Sequence, residues 1–431
     1  MSTIVFFPEG AFGPTNNCVG IGQVLRDRGH RVVFIVEESF AGRLEAQGFE
    51  ERLMRLGPAP TEPEVPGQFW IDFIRDTAPI FRKPTIEQLG EFMAPTWQAL
   101  IDGAKYVDDR LREIIDELVP DVIVEDNVVA FPAVPASGRP WVRIVSCNPA
   151  EIKDPAIPPF SSGYRSDSRA GWREFLAETD RTQRDMWADF DAFCQSRGAP
   201  ALTYGPNGPD FIHESPWLNL YLYPSIADYP RERPLAPTWH RLESCVRATS
   251  DTWELPAHLR ADARDASGAR AWAEDSGLVY LSLGSLGSAD VGLMQRLVDV
   301  MGQTRHRLIV SKGPLADQLT LHANMTGEGF LPQPAILPEV DVVITHGGNN
   351  TVTEAFHHGK PMVVLPLFWD QVDNAQRVDE TGFGVRLSTY GFEDAELTGA
   401  VDRLLADTAL RARMAANAAR LQAFPGRVKA A

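Results

Sequence analysis

The chain has 431 residues, more than one compact core usually holds, so two domains are the first expectation. Hydrophobic residues make up 44% and charged residues 23%, a globular balance that excludes a disordered, collagen-like or coiled-coil chain. Against 41 lysines and arginines stand 58 aspartates and glutamates, a formal charge of −17; such a surface repels phosphate backbones and anionic lipid, so neither nucleic acid nor membrane is expected as a partner.

The N-terminus, MSTIVFFPEG, has no basic leader and turns at Pro-Glu-Gly after a short apolar run, so it reads as a strand and not a signal peptide. No apolar run approaches the roughly 20 residues that span a bilayer. Cys18, Cys147, Cys194 and Cys245 are far apart and lack metal-ligand spacing, which reads as reduced thiols and a cytoplasmic protein. Ile4 to Phe7 is predicted as a buried strand, Asn17 to Arg28 as a helix stopped at Gly29, and Arg31 to Val36 as a second strand. A Pro- and Glu-rich loop, Ala59 to Gln68, precedes a long helical stretch interrupted at Pro95. Asp121 to Val124, Trp141 to Ser146 and the run Trp217 to Pro224 complete a first set of strands, and residues 225–252 carry turn formers that suit an interdomain connection.

A second alternation begins near Leu278. The strand VYLSLGS is followed by a helix around Leu293 to Met301, the strand Arg307 to Ser311, the strand VDVVIT (340–345), a helix from about Thr351, the strand MVVLPL (362–367) and a helix from about Asn374. Leu404 to Gln422 reads as a terminal helix. Strands separated by helices imply parallel pairing with right-handed crossovers. The fold class is therefore α/β: Rossmann-like, doubly wound halves over residues 1–224 and 253–431, with ligands expected at the carboxyl ends of the strands and in a cleft between the halves.

The stretch Thr345 to Ala375, THGGNNTVTEAFHHGKPMVVLPLFWDQVDNA, carries the chemistry. A buried strand runs through a Gly-Gly turn directly into a helix, which presents unpaired backbone N–H groups and a positive dipole end to an anion. His346, Asn350 and Thr351 add donors around that point. The local pattern leaves a second reading open, in which an asparagine is only the N-cap and Thr351 to Glu354 a capping box. One strand later, Asp370 and Gln371 pair a carboxylate with an amide, suited to sugar hydroxyls or, for Asp370, to an ordinary N-cap.

Taken together, HGGNNTVTE, GKP and DQVDNA at these intervals resemble the signature of family 1 glycosyltransferases with the GT-B fold, and most of all the bacterial macrolide and natural-product branch. The resemblance implies that His346 and the N–H groups near Gly348, with Asn350, Thr351 and Ser285, hold the diphosphate of a UDP- or dTDP-sugar. It implies Glu354 at the ribose, Gln333 at the pyrimidine base, and Asp370 and Gln371 at the transferred sugar. Phe330 stands where the family often has a base-stacking tryptophan. The implied reaction is inverting transfer of the sugar to a small hydrophobic acceptor, with no metal and no cofactor besides the nucleotide sugar. Phe69, Trp70, Phe73 and Trp97 lie in segments that line the acceptor cavity in relatives, as do Phe81, Phe92, Trp172 and Trp187.

One departure is conspicuous. The family's loop histidine, the base that deprotonates the acceptor, falls on Pro14, while the aspartate that orients it matches Asp126. Asp126 or Glu9 could serve as base if its environment suits proton transfer; alternatively the acceptor needs little base help, or the protein binds nucleotide sugar without transferring it. His213 and His240 read as structural. A GT-B nucleotide-sugar epimerase is the weaker alternative, and a nicotinamide oxidoreductase is disfavoured because PEGAFGPTNN lacks the Gly-x-Gly-x-x-Gly fingerprint.

Overall fold

The computed structural model describes residues 1–59, 68–249, 251–264, 267, 269 and 271–431; the side chains of 68–70 lie outside the described residues. Two compact units emerge. The first draws on Met1–Pro63, Pro84–Ala248 and Phe424–Ala431, the second on Glu64–Lys83 and Thr249–Ala423.

In the first unit the strands are β1 Thr3–Pro8, β2 Arg31–Glu37, β3 Glu50–Met54, β4 Val122–Asp126 and β5 Trp141–Val145. A two-residue hairpin, β6 Tyr204–Gly205 with β7 Gly208–Pro209, stands apart, and β8 Leu218–Tyr221 and β9 Trp239–Arg241 complete the set. The sheet runs β3-β2-β1-β4-β5-β8-β9, with every pair parallel. Its central strands are continuous apolar runs because helices cover both faces. Phe6 stacks on Phe34 at 5.1 Å and Phe34 meets Phe49 edge-on at 4.9 Å, each ring removing enough surface from water to stabilise the core by about 2 kcal/mol.

Three elements differ from expectation. The first helix spans Phe12–Asp27, five residues earlier than Asn17, and so contains Pro14 in its first turn; a missing N–H costs nothing there, because first-turn N–H groups have no intrahelical acceptor. β3 (EERLM) buries only Met54, so this edge strand has no apolar run to announce it. Residues 225–252 are more than a connection, because Trp239–Arg241 pairs with β8.

The second unit holds β10 Leu278–Ser282, β11 Arg307–Ser311, β12 Met325–Glu328, β13 Val342–Thr345, β14 Met362–Val364 and β15 Gly384–Arg386, ordered β12-β11-β10-β13-β14-β15. All pairs are again parallel. β14 is shorter than the apolar run MVVLPL: Leu365 still donates to the Thr345 carbonyl at 2.8 Å, but Pro366 has no N–H and ends the ladder. The expected terminal helix resolves into Asp394–Ala406 and Thr408–Ala423. A last helix, Gly426–Ala430, belongs to the first unit and packs against Phe12–Asp27.

Both sheets reverse direction beside their first strand, at β1/β4 and at β10/β13. The loops leaving those strands diverge to opposite sides and open a crevice at the carboxyl ends. Among the described residues no helix is long and apolar enough to cross a membrane.

The return of the C-terminus depends on Gly426, where an added Cβ would lie 2.1 Å from the Leu242 carbonyl oxygen and 2.2 Å from that of Ser244. Neither backbone can yield cheaply. Gly426→Ala is expected to destabilise the first unit by about 2 kcal/mol, the cost of overpacking, read as a lower denaturation midpoint in urea.

Candidate functional site

At the β10/β13 crevice, strand β13 ends at Thr345 and the helix Asn349–His357 begins four residues later. The Gly-Gly turn does two separate jobs. Gly347 adopts φ +87, and a Cβ there would meet Val364 at 2.7 Å, so only glycine lets the turn pass beside β14. Gly348 makes room for a side chain instead: its Cβ would lie 2.5 Å from His346 Nε2, and a Cβ at Gly284, in the turn after β10, would lie 2.8 Å from His346 Cε1. The imidazole is thus held between two glycine backbones. Desolvation pushes its pKa down to about 4, against the opposing effect of a hydrogen bond to the Ser282 backbone, so the ring is neutral at physiological pH. Ser285 sits half-buried in the same turn, Gly284–Gly287.

The helix that follows carries a connected polar network. Glu354 is 2% exposed. Its Oε2 accepts from Gln333 Nε2 at 2.6 Å and its Oε1 from Asn350 Nδ2 at 3.1 Å. Gln333 also donates to Thr351 Oγ1 at 3.3 Å. The N-cap position falls on Gly348, so Thr351 is not the N-cap of a capping box; Glu354 is bonded by Gln333 from another loop and by Asn350 one turn back on its own helix. Phe330, three residues before Gln333, is 66% exposed, an open aromatic face beside the network.

Asp370 and Gln371 lie beyond β14. Asp370 occupies the N-cap position of the helix Gln371–Glu380 without a side-chain cap bond; its Oδ2 accepts from Asn374 Nδ2 at 3.2 Å. The same Asn374 amide donates to the Gly347 carbonyl at 2.9 Å, tying this turn to the Gly-Gly turn. Gln371 Oε1 accepts from the Leu367 N–H at 3.1 Å and the Phe368 N–H at 3.4 Å. Between them Trp369 is held at φ +58, a left-handed conformation that costs a bulky residue energy and marks a turn fixed by its surroundings.

The crevice of the first unit has the opposite character. Asp126 ends β4 at 3% exposure and accepts from Ser146 Oγ at 2.5 Å; Ser146 in turn accepts from Asn17 Nδ2 at 3.0 Å. Burial, then the nearby carboxylates of Glu9 and Glu151, outweigh the Ser146 bond and raise Asp126 to about 8. Glu125, 2% exposed, is raised to about 8 by burial despite Arg143. Glu9 is half-buried, its N–H donating to the Asp126 carbonyl at 2.9 Å. His213 is a buried structural histidine, its Nε2 at 2.8 Å from the Pro200 carbonyl.

Of the aromatic residues read as acceptor-lining, Trp97 is 7% exposed, stacks on Phe211 at 4.6 Å and borders a cavity of about 50 Å³ in the first unit. The side chains of Phe69 and Trp70 lie outside the described residues. Phe73 belongs to the second unit and its ring is committed to Phe81 and Phe368. The cavity also exposes a residue that sequence reasoning missed. Gln183, on the helix Trp172–Ser196, is 4% exposed and lines it beside Met93, Trp97 and Phe211; a glutamine in an amphipathic helix gives no sign of facing inward.

A family model described as UDP-glucoronosyl and UDP-glucosyl transferase matches residues 254–421. YdhE of Bacillus subtilis (strain 168), named an uncharacterized UDP-glucosyltransferase, is 30% identical over 425 residues, covering 94% of this chain and 90% of the relative. The chain belongs to the family 1 glycosyltransferases. Demethyllactenocin mycarosyltransferase of Streptomyces fradiae is 24% identical to this glycosyltransferase over 420 residues, 95% of the chain and 81% of the relative. The crystal structure of the glycotransferase of kitacinnamycin superposes with a TM-score of 0.69 at 21% identity, covering 100% of this chain and 97% of that one; the fold is GT-B.

If the glycines at 284 and 348 exist to seat the imidazole, Gly348→Ala should expel it from its desolvated slot. The His346 titration followed by NMR is then expected to move up from about 4 towards the ordinary histidine value near 6.5; an unmoved titration would show that the ring is held by something else.

Proposed function

We propose that this glycosyltransferase moves a sugar, with inversion at the anomeric carbon, from a UDP- or dTDP-sugar to a small hydrophobic acceptor. The observation that carries the donor half is the network joining Gln333, Glu354, Asn350 and Thr351. It gathers an amide able to read a pyrimidine edge, a carboxylate able to accept from ribose hydroxyls, and donors for a diphosphate. Phe330 would stack on the base and Ser285 would approach the diphosphate across the turn. Asp370 and Gln371 would take the hydroxyls of the transferred sugar.

The charge that develops on the departing diphosphate would be met by His346 and the N–H groups near Gly348, so the reaction would need no cofactor besides the nucleotide sugar. One ring nitrogen of neutral His346 bonds the Ser282 backbone, and the other then offers a lone pair. Donating to a phosphate oxygen requires the imidazolium. Diphosphate binding should therefore draw a proton onto His346, the anion raising its pKa.

Calorimetric titration with UDP, dTDP and their glucose conjugates tests this directly. At least one should bind, more tightly at pH 6 than at pH 8, with proton uptake visible as a dependence on buffer ionisation enthalpy. His346→Ala should weaken binding by about tenfold or more, the worth of a charge-assisted hydrogen bond, and abolish the pH dependence. Failure of all four to bind would refute the donor reading.

For the acceptor half, the cavity beside Trp97 and Phe211 supports an apolar group, with the Gln183 amide offering a polar contact. Trp97 and Gln183 would receive one end of the acceptor, the cavity being too small for more. The base would be Asp126, kept protonated until about pH 8 by burial and, after it, by the negative field of Glu9, which assists it. A base acts in its ionised form, so transfer should rise with pH through a midpoint near 8. Asp126→Asn should spare donor binding, slow transfer by about 100-fold and remove that rise; an unchanged pH profile would take Asp126 out of the mechanism.

A further inference from the structure

The helix Gln68–Phe81 lies in the N-terminal part of the sequence yet belongs to the second unit. Its rings converge on one residue. Phe81 stacks on Phe368 at 4.9 Å with the planes 23° apart, and Phe73 meets Phe368 edge-on at 6.3 Å. Phe73 and Phe81 also touch each other at 6.4 Å, and Phe81 is 6% exposed, so the three rings form a closed cluster. Just beyond it, the Arg82 guanidinium lies 4.3 Å from the Tyr390 ring, and the Tyr390 hydroxyl donates to Asp290 Oδ2 at 3.1 Å.

Phe368 stands two residues before Asp370. The turn that joins them is short and already constrained: Gln371 Oε1 accepts from the N–H groups of Leu367 and Phe368, and Trp369 is locked at φ +58. A turn in that state has no slack, so a shift of the Phe368 ring must be passed to the Asp370 carboxylate and to the Gln371 amide.

We propose that Phe73 and Phe81 are positioning residues for donor-sugar recognition, holding through Phe368 the Asp370–Gln371 pair against the transferred sugar. This replaces an acceptor-lining role for Phe73, and it rests on the reading that Asp370 and Gln371 meet the sugar. The segment Gln68–Lys83 then tunes which sugar is taken, while the base, ribose and diphosphate contacts, made from other loops, are unaffected by it.

The test separates sugar recognition from nucleotide recognition. Full-length protein, Phe81→Ala, Phe81→Leu and Asp370→Asn are titrated with UDP and dTDP and with their glucose conjugates, after melting curves confirm folding. Phe81→Ala is expected to weaken the nucleotide sugar by about tenfold, the worth of a well-packed aromatic pair. The bare nucleotide should stay within about twofold, as in Asp370→Asn, since a twofold change is within the usual additivity error between separate sites. Phe81→Leu should fall between Phe81→Ala and the unsubstituted protein. Phe73→Ala serves as the second variant should Phe81→Ala fail to fold. Equal losses for nucleotide and nucleotide sugar, or no loss for either, overturn the positioning role. No nucleotide binding by the unsubstituted protein would instead overturn the donor reading and this inference with it.

Discussion

A carboxylate at 2% exposure governs the donor half of the molecule. Burying Glu354 is costly unless its oxygens are met by donors, and the effective penalty for an unpaired ion runs to several kcal/mol. Gln333 must therefore approach from the loop after β12, and Asn350 must turn back from the start of the same helix. Asn350 is thereby spent on Glu354, and the N-cap position falls on Gly348 with no side-chain cap. The arrangement has a consequence for binding. Any hydroxyl that took up Glu354 would compete with bonds of 2.6 and 3.1 Å already in place, so a ligand would gain only the difference between the two sets of contacts.

The two crevices are built on the same strand reversal and differ in what the reversal brings together. At β10/β13 glycines predominate, and the His346 ring is kept neutral by desolvation where it packs between Gly284 and Gly348. At β1/β4 the chain gathers Glu9, Glu125 and Asp126, and burial raises two of these to about 8. One crevice can receive negative charge and the other can hold or accept protons. A bond exchange that expels a diphosphate and deprotonates an acceptor uses one capacity of each kind.

Long apolar strands and the Gly-Gly turn were legible in the sequence because burial on both faces leaves continuous runs and because strand, turn and helix must alternate to keep strands parallel. The site around Glu354 was legible in membership through its resemblance to a family signature, but its connections were not: the spacing from Thr351 to Glu354 fits a capping box as well as it fits a sideways carboxylate. Polar edge strands escaped notice, since β3 buries only Met54 and β9 is three residues long. The swap of the helix Gln68–Phe81 into the second unit was also invisible, because helical periodicity reports that a face is buried and says nothing about its partner. Gln183 was missed for the converse reason, being a polar residue turned inward.

Pro14 bears on all of this. It stands in the first turn of the helix Phe12–Asp27, where its fixed φ suits the helix and its missing N–H costs nothing. The helix then delivers Asn17 to Ser146, and Ser146 to Asp126, at 3.0 and 2.5 Å. Asp126 accepts from the Ser146 hydroxyl, which lowers its pKa, but burial outweighs that bond and, with the negative fields of Glu9 and Glu151, raises it to about 8. A carboxyl group so raised is a far stronger base than an ordinary aspartate once it ionises.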